Sequence, residues 1–190
     1  MIDGMTIFKG IRFVDQLYKD ISRLMATMDD QMEAMEYRSL LEYCYFRSSS
    51  SVAGSARWAP HAFTRVYVPE GKMNSYTTFT FLNIYLTPKN LDEPIAHWGV
   101  GRWKATPDNW QAWVNKFFPE GPEFLRSKSI KPFETSRELS EVLETFRHAV
   151  MPLIELNSED QVESLLVVPI RKELGSLPDS ARETPKPKSK

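Results

Sequence analysis

The chain has 190 residues, 42% hydrophobic and 26% charged, with a formal net charge of −1. Such a length and composition suit one globular domain with its own core, and exclude a collagen-like, low-complexity or wholly disordered chain. Near-neutral charge removes any global pull toward nucleic acid or an anionic membrane, and the single cysteine, Cys44, excludes an internal disulfide and argues against a thiolate metal site.

No apolar run approaches the roughly 18–20 residues of a membrane span. The N-terminus lacks the basic-then-apolar pattern of a signal peptide. A soluble, cytoplasmic protein is therefore expected. Charge is spread unevenly: residues 41–118 carry a net +3, whereas residues 1–40 carry −2 and residues 119–172 carry −3.

In chain order, Ile11, Val14, Tyr18, Ile21, Met25, Met28, Met32 and Met35 recur at alternating steps of three and four. That spacing is one apolar stripe of an α-helix and predicts a helix over 11–36. Leu17 and Leu24 widen the stripe, which favours packing on a globular core over a strict coiled-coil seam. The seam residues Met25, Met28, Met32 and Met35 are adaptable gap-fillers that can also accept another protein's helix. They are the candidate interface, with a homodimer among its forms.

Aromatic residues become dense from Leu40 onward, where Leu40–Arg47 reads as a strand or the end of the helix. A serine-rich loop follows at Ser48–Ser51. Ala62–Val68 alternates as a strand, Tyr76–Leu86 is rich in β-branched and aromatic residues, and Ile95–Trp103 reads as the next strand. Gly99 and Gly101 sit two apart within that strand, so a bulge or a close approach to the backbone is expected on one face.

Thr106-Pro107-Asp108 starts a helix that runs to about Phe118. Thr135 or Ser136 caps another, with Leu139, Val142, Leu143, Phe146, Val150, Leu153 and Ile154 at helical spacing and Pro152 kinking or ending it. Asn157-Ser158-Glu159-Asp160 is another start signal, leading to Val162–Val168. The tail is rich in Pro, Ser and charge and lacks apolar residues to fold.

The predicted class is α+β: a long N-terminal helix, a central antiparallel sheet of three to five strands, and C-terminal helices packed on it. One domain covers 1–172, comprising the helix 11–36, a sheet region 40–104 and a helical region 106–168. Residues 173–190 form a flexible tail.

Candidate chemistry concentrates in the sheet. All five tryptophans, Trp58, Trp98, Trp103, Trp110 and Trp113, fall within residues 58–113, interleaved with arginines. Arg47, Arg57, Trp58, His61, Arg65, Tyr67, His97, Trp98, Arg102 and Trp103 are the candidate ligand-binding residues. Converging, they would make an aromatic-walled pocket for a small anion or nucleotide, with His61 and His97 as an acid–base pair on a phosphate.

Against catalysis stand several absences in the sequence. There is no H-x-x-x-H or H-E-x-x-H, no phosphate-binding glycine loop and no G-x-S-x-G elbow. The predicted strands 62–68 and 76–86 contain no acid. No cofactor or metal is implied, and the RNA-recognition sheet signature is missing. The leading expectation is a non-catalytic interaction module, whether adaptor, accessory subunit or inhibitor-like protein, that binds another protein or itself. The alternative is the anion- or nucleotide-binding domain.

Overall fold

The computed structural model describes residues 4–40, 45–46, 62–70, 78–86, 92–105, 134–135 and 143–177. Helix α1 spans Gly4–Glu33. It is followed by Glu36 at φ 62°, a left-handed conformation that a side chain adopts rarely and that turns the chain into the sheet.

The strands are β1 (Tyr37–Ser39), β2 (Tyr45–Phe46), β3 (Ala62–Pro69), β4 (Thr78–Tyr85), β5 (Ile95–Trp103), β6 (Glu134–Thr135) and β7 (Leu143–Pro152). They form one sheet in the order β1-β3-β4-β5-β7-β6, with β2 also on β3, and every pairing is antiparallel. A 3-10 turn at Leu153–Glu155 leads to α2 (Glu159–Val162), a π-helical segment Glu163–Val167 and α3 (Val168–Ser176). The α+β class and the antiparallel sheet are as the sequence predicts.

The sheet is buried on both faces. On one lie Leu82, Ile84, Ala96, Trp98, Val100, Ala149 and Met151, packed against Ile21, Leu24, Met25, Met28 and Met32 of α1. Val162, Leu166, Val167 and Ile170 of the C-terminal helices complete that core. Each of these apolar side chains contributes on the order of 1.5–3 kcal/mol when fully buried.

On the other face, Phe79, Phe81, Tyr85, His97, Trp103 and Phe146 are equally withdrawn from solvent. Aromatic stacking organises it. The Phe79 and Trp103 ring centroids are 3.8 Å apart, and Phe81 lies parallel to Phe146 at 5.4 Å.

Gly99 and Gly101 face this aromatic layer, and the close approach expected there is real. A Cβ at Gly101 would enter the Phe79 ring. At Gly99 it would press on the Arg147 carbonyl and lie 2.8 Å from the His148 Cα. The register also slips between Arg102 and Trp103, so the bulge expected near the glycines lies one residue beyond Gly101.

One predicted element is overturned. Leu143–Pro152, read as helical from the spacing of Leu143, Phe146 and Val150, is the longest strand and pairs with β5 throughout. Phe146 and His148 bury on one face, Ala149 and Met151 on the other. A segment apolar on both faces has no polar alternation, and its periodicity fits a helix as well as a strand. Thr135, a proposed helix cap, belongs to β6. The region 106–168 is thus not uniformly helical, and residues 173–176 complete α3 ahead of any tail.

Other expectations fared differently. A helix starts within the predicted signal 157–160, where Ser158 caps α2 with its side chain accepting from the Gln161 N–H. Past it, Val168 N–H reaches back five residues to the Glu163 carbonyl, one residue before Pro169. Proline lacks an N–H and crowds the preceding turn, and a widened turn relieves that crowding. The predicted helix over 106–118 lies outside the described residues.

Gly99→Ala and Gly101→Ala should each destabilise the fold by about 1–3 kcal/mol through overpacking. Urea denaturation with an unchanged m-value would record this. Wild-type stability in Gly101→Ala would mean that the Phe79 ring has free room to move.

Candidate functional site

The predicted ligand residues divide between the two sheet faces. By register, Arg65 faces Leu82 and Leu82 faces Trp98, all on the helix-covered side, where Tyr67 and Arg102 also lie. His97 faces Asn83 on the opposite side, with Trp103. Arg65 and Arg102 therefore do not share a pocket with His97. Arg47, Arg57, Trp58 and His61 lie outside the described residues.

On the helix side the arginines have structural partners. Arg65 Nη2 is 3.3 Å from Asp29 Oδ2 of α1, and the Tyr67 hydroxyl donates to Asp29 Oδ1 at 2.8 Å. Burial and the neighbouring Asp29 charge raise the Tyr67 pKa well above its ordinary value, so it stays a neutral donor. Arg102 Nε lies 3.0 Å from Glu144. Arg147 pairs with Glu173 and also donates to Ser176 Oγ, tying α3 to β7. The Asp29 and Arg147 contacts hold helices to strands, and the Arg102–Glu144 pair ties β5 to β7.

On the opposite side, Thr64, Asn83 and His97 form a polar row across β3, β4 and β5. They are 1%, 0% and 0% exposed. Asn83 Nδ2 is 3.3 Å from His97 Nδ1, which accepts and leaves the ring proton on Nε2. The His148 ring stands perpendicular to His97 at 5.2 Å. Burial, and then His148, lower the His97 pKa well below the usual histidine value. A neutral imidazole among rings does not attract an anion, and this runs against the expected phosphate chemistry. Among the described residues no group of three His, Cys, Asp or Glu could hold a metal ion.

The methionine interface also moves inward. Met25 is 7% exposed, and Met28 and Met32 are fully buried in the chain's own core. Met35 packs at its edge, its sulfur accepting from Arg171 Nε at 3.3 Å. These sulfurs are not an open surface.

The open surface is one the sequence reading missed. Helix α1 begins seven residues before the predicted start, and residues 4–16 are all exposed. This stretch spans about 20 Å at 1.5 Å per residue. It carries Met5, Ile7, Phe8, Ile11, Phe13 and Val14 at 62%, 52%, 53%, 63%, 68% and 41% exposure. Ile7, Ile11 and Val14 continue the same three-four stepping as Tyr18, Ile21, Met25, Met28 and Met32. Phe8 lies beside that line, whereas Phe13 is turned toward the outer face. Arg12 reaches over the Phe8 ring at 5.2 Å. The signal was present in the sequence, since extending the stripe by one step finds Ile7.

Among the described residues no helix is long and apolar enough to cross a membrane. Comparisons with protein-family models, curated proteins and solved structures find no match for this chain.

Two measurements check these assignments. Asp29→Ala leaves the buried Tyr67 hydroxyl without its acceptor and should cost about 2 kcal/mol in urea unfolding, with Asp29→Asn milder because its amide oxygen still accepts. An Asp29→Ala protein as stable as wild type would deny the α1–β3 lock.

The second concerns pH. The His97 pKa is depressed in the fold, so below about pH 6.5 the unfolded chain gains a proton that the native chain does not. Stability should therefore hold above that pH and fall as pH drops toward the native pKa, with a slope of up to about 1.4 kcal/mol per pH unit from this residue. His97→Gln should flatten the curve, measured as melting temperature between pH 7 and 5. An unchanged slope in His97→Gln would assign the effect elsewhere.

Proposed function

We propose that this chain is a non-catalytic protein-interaction module whose contact surface is the free first half of α1. The carrying observation is the apolar line Ile7, Ile11 and Val14, with Phe8 beside it, in water along a helix that is otherwise docked. Single exposed apolar residues are ordinary on a protein surface. Contiguous exposed apolar groups are the ones that mark binding sites.

The character of the helix supports the same reading. Gly10, inside the helix, weakens it by about 1 kcal/mol relative to alanine, and a Cβ there would meet nothing within 4 Å. Neither propensity nor internal packing favours helix there. A helical partner lying along the stripe supplies what is missing, and the stripe presents the i, i+4, i+7 anchors of helix recognition.

A photoreactive phenylalanine analogue at position 11, with another at position 9 on the polar face as control, tests this in cells expressing the full chain. The expected outcome is a discrete protein adduct at position 11 that is absent at position 9. Equal labelling at both, or none at position 11, would rule the surface out.

A further inference from the structure

Resting on that reading, we infer that the partner is a second copy of this chain, paired antiparallel along residues 4–16 of α1. The argument starts from the continuity of the stripe. From Tyr18 to Met32 the line is occupied by the chain's own sheet and C-terminal helices. From Ile7 to Val14 it points the same way and is 41–63% exposed.

That continuity restricts how a second copy can dock. In a parallel pair, residues 17–33 of the partner helix would run along the same line and enter the volume held by the first chain's sheet. In an antiparallel pair, the partner's docked half lies beyond Gly4, and its own body sits past the free end of the first helix. Only the antiparallel arrangement pairs the two free halves without collision.

The register follows from what is already engaged. Tyr18 packs edge-on against Phe63, with ring centroids 5.9 Å apart, so it is not a partner for Ile7 of the other chain. The remaining antiparallel layering sets Ile7 against the partner's Ile11 and Val14 against the partner's Gly4. The two Phe8 rings then face each other on one flank and the two Gly10 on the other, where the absent side chains let the helices approach.

The pairing is self-complementary, as a two-fold contact must be. None of the positions placed inside it (Gly4, Ile7, Phe8, Gly10, Ile11, Val14) carries a charge. Lys9 and Arg12 stay on the outer face.

Light scattering of the purified full chain across a dilution series should show twice the 22.0 kDa chain mass, dissociating on dilution. Ile11→Asp should weaken association at least ~tenfold with no fall in melting temperature of the monomer, because the residue 11 side chain is 63% exposed in its own chain. Orientation is read by oxidation with Cys44 replaced by serine. Gly4→Cys and Val14→Cys chains should form a disulfide when mixed, and neither should crosslink alone.

Self-crosslinking of each single variant would mean parallel pairing and overturn the inference. So would a monomer at every concentration. A monomer that still gives the position-11 adduct with a different protein sinks only the self-pairing, whereas loss of that adduct sinks the interaction surface itself. A monomer that instead sediments with anionic phospholipid vesicles, and loses this with Ile11→Asp, would assign the stripe to a lipid surface.

Discussion

The docking of the second half of α1 on one face of the sheet governs the rest of the structure. Met28 and Met32 are fully buried there, and Ile21, Leu24 and Met25 nearly so. Because the helix is rigid, fixing residues 21–32 also fixes the direction in which residues 4–16 leave the body. Asp29 sharpens that placement by meeting both Tyr67 and Arg65 of β3. Hydrophobic burial provides most of the attraction, while the directional bonds of a single carboxylate set the rotation and height of the helix.

The opposite face has a different character. Its aromatic layer is interrupted by Thr64, Asn83, His97 and His148, all nearly or fully buried. Asn83 Oδ1 and Thr64 Oγ1, on directly paired residues, have no hydrogen-bond partner among the described residues. Buried polar groups ordinarily find partners, and an acceptor without one costs about 1–3 kcal/mol. The row therefore detracts from stability and makes folding sensitive to acid, because protonating His97 would set Nδ1–H against the Asn83 amide donor. The aromatic stacking around it, Phe81 on Phe146 above all, offsets that cost.

Much of this was legible in the residues, and the failures have physical causes. Strands β3, β4 and β5 were visible because alternation and β-branched runs are local signals, and the span Ile95–Trp103 was placed to the residue. Strand β7 was hidden because burial on both faces erases alternation. The supposed arginine–histidine pocket failed for a reason the sequence did contain. His97 and Trp98 are neighbours on one strand, and adjacent strand residues point to opposite faces. Cross-strand register, which put Arg65 in line with Trp98 and not with His97, required the structure. The exposed stripe was missed because a periodicity argument finds an apolar face without saying what covers it.

The composition of that stripe changes along its length in a way that matches the two surfaces. Where α1 meets the sheet, from Met25 to Met32, the seam is methionine, a flexible side chain suited to a twisted and irregular surface. Where it stands free, the seam is Ile7, Ile11 and Val14, β-branched residues with few rotamers. Stiff side chains lose little entropy on being fixed and specify geometry well, but they need holes of regular shape. A second α-helix offers such holes at a constant repeat, and a pleated sheet does not. The docked line also holds Ile21, so the change toward Ile7, Ile11 and Val14 is one of proportion, and it fits the second contact proposed for the exposed stretch.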